Sequence, residues 1–199
     1  MSARARTHRP ERRASYHHGD LRHALLSAAT SLIAERGLEQ VTLREAARRA
    51  GVSHNAPYNH FESRDALLAA LAAQGFADLA QHIGAAGAGS EPLDAFIASA
   101  VAYVDFAAAN PTRYRLMFGS AAGRSANGAP EQARATLIAM ITRAQEAGLF
   151  GRADPSELAG VLWSLVHGLA DLAIAGRIAQ PVQPLASVAA AILARGLAS

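Results

Sequence analysis

The sequence predicts an all-α fold, with an N-terminal three-helix unit followed by a larger helical bundle. Three observations lead there. Thr42 and Glu45 form a T-x-x-E capping box, which marks the start of a helix. Downstream, apolar residues return at helical spacing in segment after segment, separated by Gly and Pro punctuation. Asp154-Pro155-Ser156-Glu157 then combines an N-cap, a proline at the first helical position and an acid in the first turn, ahead of a long apolar run.

At 199 residues the chain can bury a sizeable core and form one or two domains. It has no cysteine, so disulfides and thiolate metal sites are excluded. No run of 18 apolar residues is free of charges and turn signals, and no apolar signal-peptide core follows Met1. The expectation is a soluble cytoplasmic protein that needs no membrane, cofactor or metal. All 19 basic residues are arginines, which together with the many alanines reflects genome composition rather than function.

Charge is more informative when split. Residues 1–65 hold 11 Arg against 7 acids, a net of +4, while 66–199 hold 8 Arg against 9 acids, a net of −1. A basic segment attracts phosphates and steers association without reading sequence. Within it, Arg4, Arg6, Arg9, Arg12 and Arg13 lie in a tail without apolar periodicity, so residues 1–15 are expected to be a disordered basic arm. Two roles stay open for the arm: reaching along a DNA groove, or simple solvation.

The elements follow in order. Tyr16-His17-His18-Gly19-Asp20 introduces the first long helix, with Asp20 as expected N-cap and Leu21, Leu25, Ala28 and Leu32 along one face; Gly37 ends it. His17 and His18 lack a third ligand at metal-site spacing and read as a surface pair. After the Thr42 cap, Leu43, Ala46, Ala47 and Ala50 give one apolar face, and Gly51 supplies the positive φ that stops the helix. Ser53 is expected to cap a second short helix reaching about His60. Two short helices across a tight glycine turn make a helix-turn-helix, whose second helix enters the DNA major groove.

The second helix has the chemistry for that task. His54, Asn55, Tyr58, Asn59 and His60 crowd into two turns. Asn can bond adenine through two contacts, while Tyr and His can donate to phosphates. Tyr58 and Phe61 are three apart, so both rings are expected to pin this helix to the core as well. A capped polar hairpin with no nucleic-acid role satisfies the same pattern.

Thr42–Phe61 with the following Glu62-Ser63-Arg64-Asp65-Ala66-Leu67-Leu68 resembles the DNA-binding region of TetR-type transcriptional regulators. That family runs T-x-x-x-I-A-x-x-A-G-V-S-x-x-x-x-Y-x-H-F-x-x-K-x-x-L. Here Ala46-Ala47 replaces the usual apolar-Ala pair, Pro57 stands where an aliphatic residue is usual, and Arg64 replaces the usual Lys. The match reaches upstream to about Tyr16. The resemblance implies binding to double-stranded operator DNA through residues 16–66, with Thr42, Arg44, Ser53 and Arg64 joining the reading-helix residues as contact candidates.

Residues 67–199 are expected to form a helical effector-binding and dimerisation domain. A fourth helix from Arg64 to about Ile83, with Leu68, Leu71, Phe76, Leu79 and Ile83 on one side, spans roughly 30 Å and leads out of the DNA-binding unit. Gly84–Ser90 reads as a flexible connection. Pro92 starts a helix closed by Asn110-Pro111, and Pro111 opens a short one bearing Tyr114, Met117 and Phe118. Gly119–Ala129 lacks periodicity and reads as a mobile loop. Pro130–Gly148 and Asp154–Ala175 are helices, the latter stopped by Gly176, and a last helix at about 185–197 follows Pro181 and Pro184.

The helix at 154–176 is apolar nearly all round, so it must be buried on more than one side. The simplest second cover is another copy of the chain with two-fold symmetry, the helix at 185–197 packing beside it. A homodimer also presents two reading helices to successive major grooves. A fully intrachain core is the other reading.

On that helix Trp163, His167 and Asp171 share a face by spacing. With Tyr103, Tyr114, Met117 and Phe118 they could line an aromatic ligand pocket. A histidine held by hydrogen bonds inside a core is the alternative. Tyr103-x-x-Phe106, Asn110-Pro111, Tyr114–Gly119 and Trp163-x-x-x-His167-Gly168 resemble a recurrent C-terminal domain of TetR-type proteins, named WHG for its Trp and His-Gly. Together these resemblances imply a repressor that leaves its operator when a small molecule binds the C-terminal domain. A DNA-binding regulator without an effector is the runner-up. A helical enzyme using His167 and Asp171 as an acid–base pair lacks a nucleophile, metal cluster or phosphate loop to go with them.

Overall fold

A computed structural model of the chain describes residues 18–178 and 181–197, all its regular elements being helical. The basic arm, Tyr16 and His17 lie outside the described residues, as do the side chains of His18 and Asp20. Helix α1 (His18–Arg36) begins two residues before Asp20, so Asp20 sits in the first turn rather than at the N-cap. An acid there still suits the positive end of the helix dipole.

Helix α2 (Leu43–Arg49) starts where its capping box places it: Thr42 Oγ1 accepts the Glu45 N–H at 3.1 Å. Gly51 takes φ +70 immediately after it. The reading helix is a single 3₁₀ turn, Ala56–Asn59. Ser53 contributes only its carbonyl, to the N–H of Ala56, so the expected side-chain cap is absent. Pro57 fixes this turn instead, since it is fully buried and needs no N–H partner. Phe61 is buried as expected, but Tyr58 is 51% exposed, its anchoring role having passed to Pro57.

Helix α3 (Arg64–Ala86) is capped by Ser63, whose Oγ accepts the Ala66 N–H at 3.1 Å. It runs on through Gly84, beyond its expected end, and the connection that follows is a turned segment with Gly87 against Ala95. Alanines at 85 and 86 are strong helix formers and carry the last turn past the glycine. Leu25, Leu32, Val41, Ala46, Phe61 and Leu67 form the core of the first three helices.

The bundle is built around α4 (Pro92–Ala109), which packs against α3, α8 (Pro155–Ile174) and α9 (Gln183–Leu197). Helix α7 (Ala129–Glu146) lies across α3 and α8, and α5 (Pro111–Gly119) rests on α3. Asn110 closes α4 by donating from Nδ2 to the Phe106 carbonyl at 2.9 Å, and Asp154 caps α8 by accepting the Ser156 N–H at 2.8 Å.

The segment expected to be a mobile loop is not one. It contains a helical turn, α6 (Ala121–Arg124), packed on α3 and α5. Ser120 Oγ accepts the Gly123 N–H and donates to the Leu116 carbonyl. Gly123 is buried so tightly that a Cβ there would lie 1.8 Å from the Met117 carbonyl oxygen. Small residues make this contact, so no apolar period announces it.

By length and composition, α4 and α8 could each cross a membrane, although, as the sequence leads one to expect, neither run is free of charge. Each carries two aspartate or glutamate residues, and both are bundle helices here. Leu158, Leu162 and Val166 of α8 face inward, while Val161 and Leu172 stay 52% and 45% exposed. On α9, which packs against α8, Leu185, Val188 and Ile192 are also exposed.

Candidate nucleic-acid interface and apolar cavity

The helix-turn-helix exposes a set of polar side chains. Thr42, Arg44, Ser53, His54, Asn55, Tyr58 and Asn59 are all exposed, and His60 is half-buried. Leu43, Ala46 and Ala47 on α2 are buried, as are Pro57 and Phe61. Arg22 of α1 lies over the Phe61 ring, 5.5 Å from its centroid.

The arginines of this unit divide into engaged and available. Arg48 and Arg36 both reach the Glu45 carboxylate, and Arg49 grips Glu35 with two nitrogens. The Arg48 hydrogen bonds hold the Glu45 carboxyl below the usual carboxylate range, and Arg49 does the same for Glu35. Arg44 is exposed and has no ion pair among the described residues, which leaves its five donors without an acidic partner. Arg64 is used differently from the expectation. Its Nε donates to the Val41 carbonyl at 2.7 Å and one terminal nitrogen to the Leu38 carbonyl at 2.9 Å. A lysine could not bond both carbonyls with a rigid fork. Arg64 therefore fastens the start of α3 to the chain entering α2.

In the bundle, α3, α4, α7 and α8, with Phe118 of α5, line a partly open apolar cavity of about 60 Å³. Of the sequence candidates, Tyr103, Phe118 and Trp163 line it. Tyr114 and Met117 are fully buried elsewhere, Met117 against Gly75 of α3. Asp171 points outward, its side chain 62% exposed.

His167 is the centre of a polar cluster beside the cavity. Its Nδ1 lies 2.7 Å from the Tyr114 hydroxyl and 2.9 Å from the Tyr103 hydroxyl, and the two hydroxyls are 3.3 Å apart. Nε2 faces Asp171 at 3.8 Å. A phenolic proton on Nδ1 leaves Nε2 carrying the hydrogen, on the Asp171 side. Burial pushes both phenols far above their ordinary range, so they act as neutral hydrogen-bonding groups. Phe118 packs edge-on to His167 and Trp163, with ring centroids at 4.9 and 6.1 Å.

Two family patterns match this chain. Residues 25–71 match the pattern described as bacterial regulatory proteins of the tetR family, and residues 96–195 match the tetracyclin repressor-like C-terminal domain. The chain belongs to the TetR family of transcriptional regulators.

No curated protein matches the chain. A protein of unknown function from Rhodococcus sp. RHA1 is 38% identical, with TM-score 0.82, covering 94% of this chain and 100% of its own. A TetR-family regulator from Pectobacterium atrosepticum is 22% identical with TM-score 0.75, covering 94% and 97%. The structure of a SmeT–triclosan complex is 19% identical with TM-score 0.66, covering 88% and 90%. These last two likenesses are of fold.

Within this TetR-family chain, sequence reasoning missed part of the cavity wall. Leu137 and Met140 of α7 line it, as do Leu79 and Ile83 of α3. Their helical spacing was visible but reads equally well as ordinary core.

Proposed function

We propose that this chain is a homodimeric repressor that reads double-stranded operator DNA and releases it when a small molecule enters the α3–α4–α7–α8 cavity. In this reading residues 16–66 are the DNA-binding domain and 67–199 the effector and dimerisation domain. Asn55, Asn59 and His54 meet base edges, while Arg44, Thr42, Ser53, Tyr58 and His60 meet the backbone. Arg64 positions rather than contacts. Exposed apolar residues on α8 and α9 support a two-fold interface between copies, and such a dimer sets two reading helices one DNA turn apart.

The observation that carries the regulatory part is the course of α3. Its first residue, Arg64, bonds the carbonyls of Leu38 and Val41, and its last turns supply Leu79 and Ile83 to the cavity. A ligand that moves the cavity end of α3 therefore acts on the helix-turn-helix, and by linkage DNA opposes the ligand to the same degree. The SmeT complex with triclosan supports the idea of a small molecule held in this fold.

The test is to sequence DNA retained by the purified protein from a random pool. An enriched two-fold-symmetric site with half-sites about 10 bp apart is expected. Recovery of unenriched sequence would sink the operator reading.

A further inference from the structure

We propose that the cavity takes an uncharged, largely apolar ligand and rejects the anionic counterpart of the same shape, an inference that rests on the effector reading above. None of the residues lining the cavity is charged. Ser99 already donates to the Ala95 carbonyl, and Thr136 to the Gln132 carbonyl. The Tyr103 hydroxyl is taken up by Tyr114 and His167. Each hydroxyl of the wall thus has a partner inside the protein. A carboxylate placed here meets carbon and occupied hydroxyls, and an ion without partners in such surroundings is strongly disfavoured.

The wall also shows where the ligand makes room. A dry apolar cavity of about 150 Å³ takes a benzene ring, and this one measures about 60 Å³. Leu79, Ala100, Leu162 and Val166 are packed tightly on α3, α4 and α8. On α7, Leu137 and Met140 are half-buried and Thr136 is exposed. The cavity therefore enlarges on the α7 side, where Met140 has the rotatable bonds to give way.

Trp163 is the chain's one tryptophan and stands in the wall, so its fluorescence reports occupancy directly. The experiment titrates full-length protein with two matched pairs, methyl hexanoate against hexanoate and methyl decanoate against decanoate, below micellar concentrations. Trp163 emission and melting temperature are read together. The ester of at least one pair is expected to bind, with the carboxylate weaker by on the order of 100-fold. Thr136→Lys, at the exposed rim, is expected to narrow that gap at least ten-fold by giving the carboxylate a partner. Equal binding of ester and carboxylate, or no response from either ester, would overturn the proposal. Anisotropy of labelled operator DNA, run alongside, separates the two claims. An ester that binds without releasing DNA keeps the ligand class and defeats effector release; a carboxylate that binds equally and releases DNA does the reverse.

Discussion

The Tyr114 hydroxyl stands 2.7 Å from Nδ1 of His167, joining α5 to α8. Because Tyr103 reaches the same nitrogen at 2.9 Å, the histidine ties three helices together. His167→Phe keeps the ring contacts but leaves two buried hydroxyls with less to bond, and is expected to cost about 1–3 kcal/mol. Tyr114→Phe leaves Tyr103 on Nδ1 and should cost less, about 0.5–1.5 kcal/mol. Urea unfolding of both variants measures this. Equal losses would mean that His167 is not the common partner.

If the helix-turn-helix reads DNA as proposed, Asn55→Ala should lower operator affinity by about 1–3 kcal/mol and relax the base preference at one position. Arg44→Ala should weaken all sequences alike and reduce the salt slope by about one. Tyr58→Phe should also act uniformly, as loss of a backbone contact does. Binding isotherms at several salt concentrations distinguish them. Wild-type affinity in both Asn55→Ala and Tyr58→Phe would displace the reading helix from the interface.

The Glu45 and Glu35 carboxyls titrate below their ordinary value of 4.5 when folded, held there by hydrogen bonds from Arg48 and Arg49. A depressed folded pKa gives stability that is fully present above the unfolded value and lost as pH falls through the folded one. The DNA-binding unit should therefore begin to weaken below about pH 4.5, and Glu45→Gln should flatten that acid limb. Both pairs are exposed, so added salt should shrink the effect. A melting temperature independent of pH between 5 and 3 would contradict it.

Gly123 is the sharpest test of the packed 119–129 segment. A Cβ there meets the Met117 carbonyl at 1.8 Å, so Gly123→Ala must push α6 away from α5. The expected cost is about 1–3 kcal/mol, typical of overpacking. Gly119→Ala, with nothing within 4 Å of its Cβ position, should be mild by comparison. Equal behaviour of the two would return the segment to a loose loop.

What could be read from the sequence was local and backbone-driven. Thr42 and Asp154 cap their helices because a short oxygen-bearing side chain does so in nearly any context, and Gly51 takes a φ that other residues avoid. What could not be read depends on which neighbour arrives. The spacing of Trp163, His167 and Asp171 placed them on one face of α8, but the tertiary arrangement turns His167 to the tyrosines and Asp171 to water. Ser53 lost its expected cap because burial of Pro57 set the reading turn instead. Gly123 carries no hydrophobic signal at all, yet a Cβ there would collide with the α5 backbone.

Helices α8 and α9 both carry exposed apolar side chains. Val161, Val188 and Ile192 are each more than half exposed, at 52%, 54% and 58%. Scattered surface leucines and valines are ordinary, but these lie on two adjacent helices that pack together in the bundle. If a second copy covers them, Val161→Glu combined with Ile192→Glu places four like charges across the two-fold axis and should give a monomer by light scattering. The fold should survive, because both side chains already face water in the single chain. Operator affinity should then fall steeply, since each monomer holds one half-site alone and the linked second contact disappears. Binding to a single half-site should be nearly unchanged. A double variant that stays dimeric and keeps full operator affinity would move the interface to another face of the molecule.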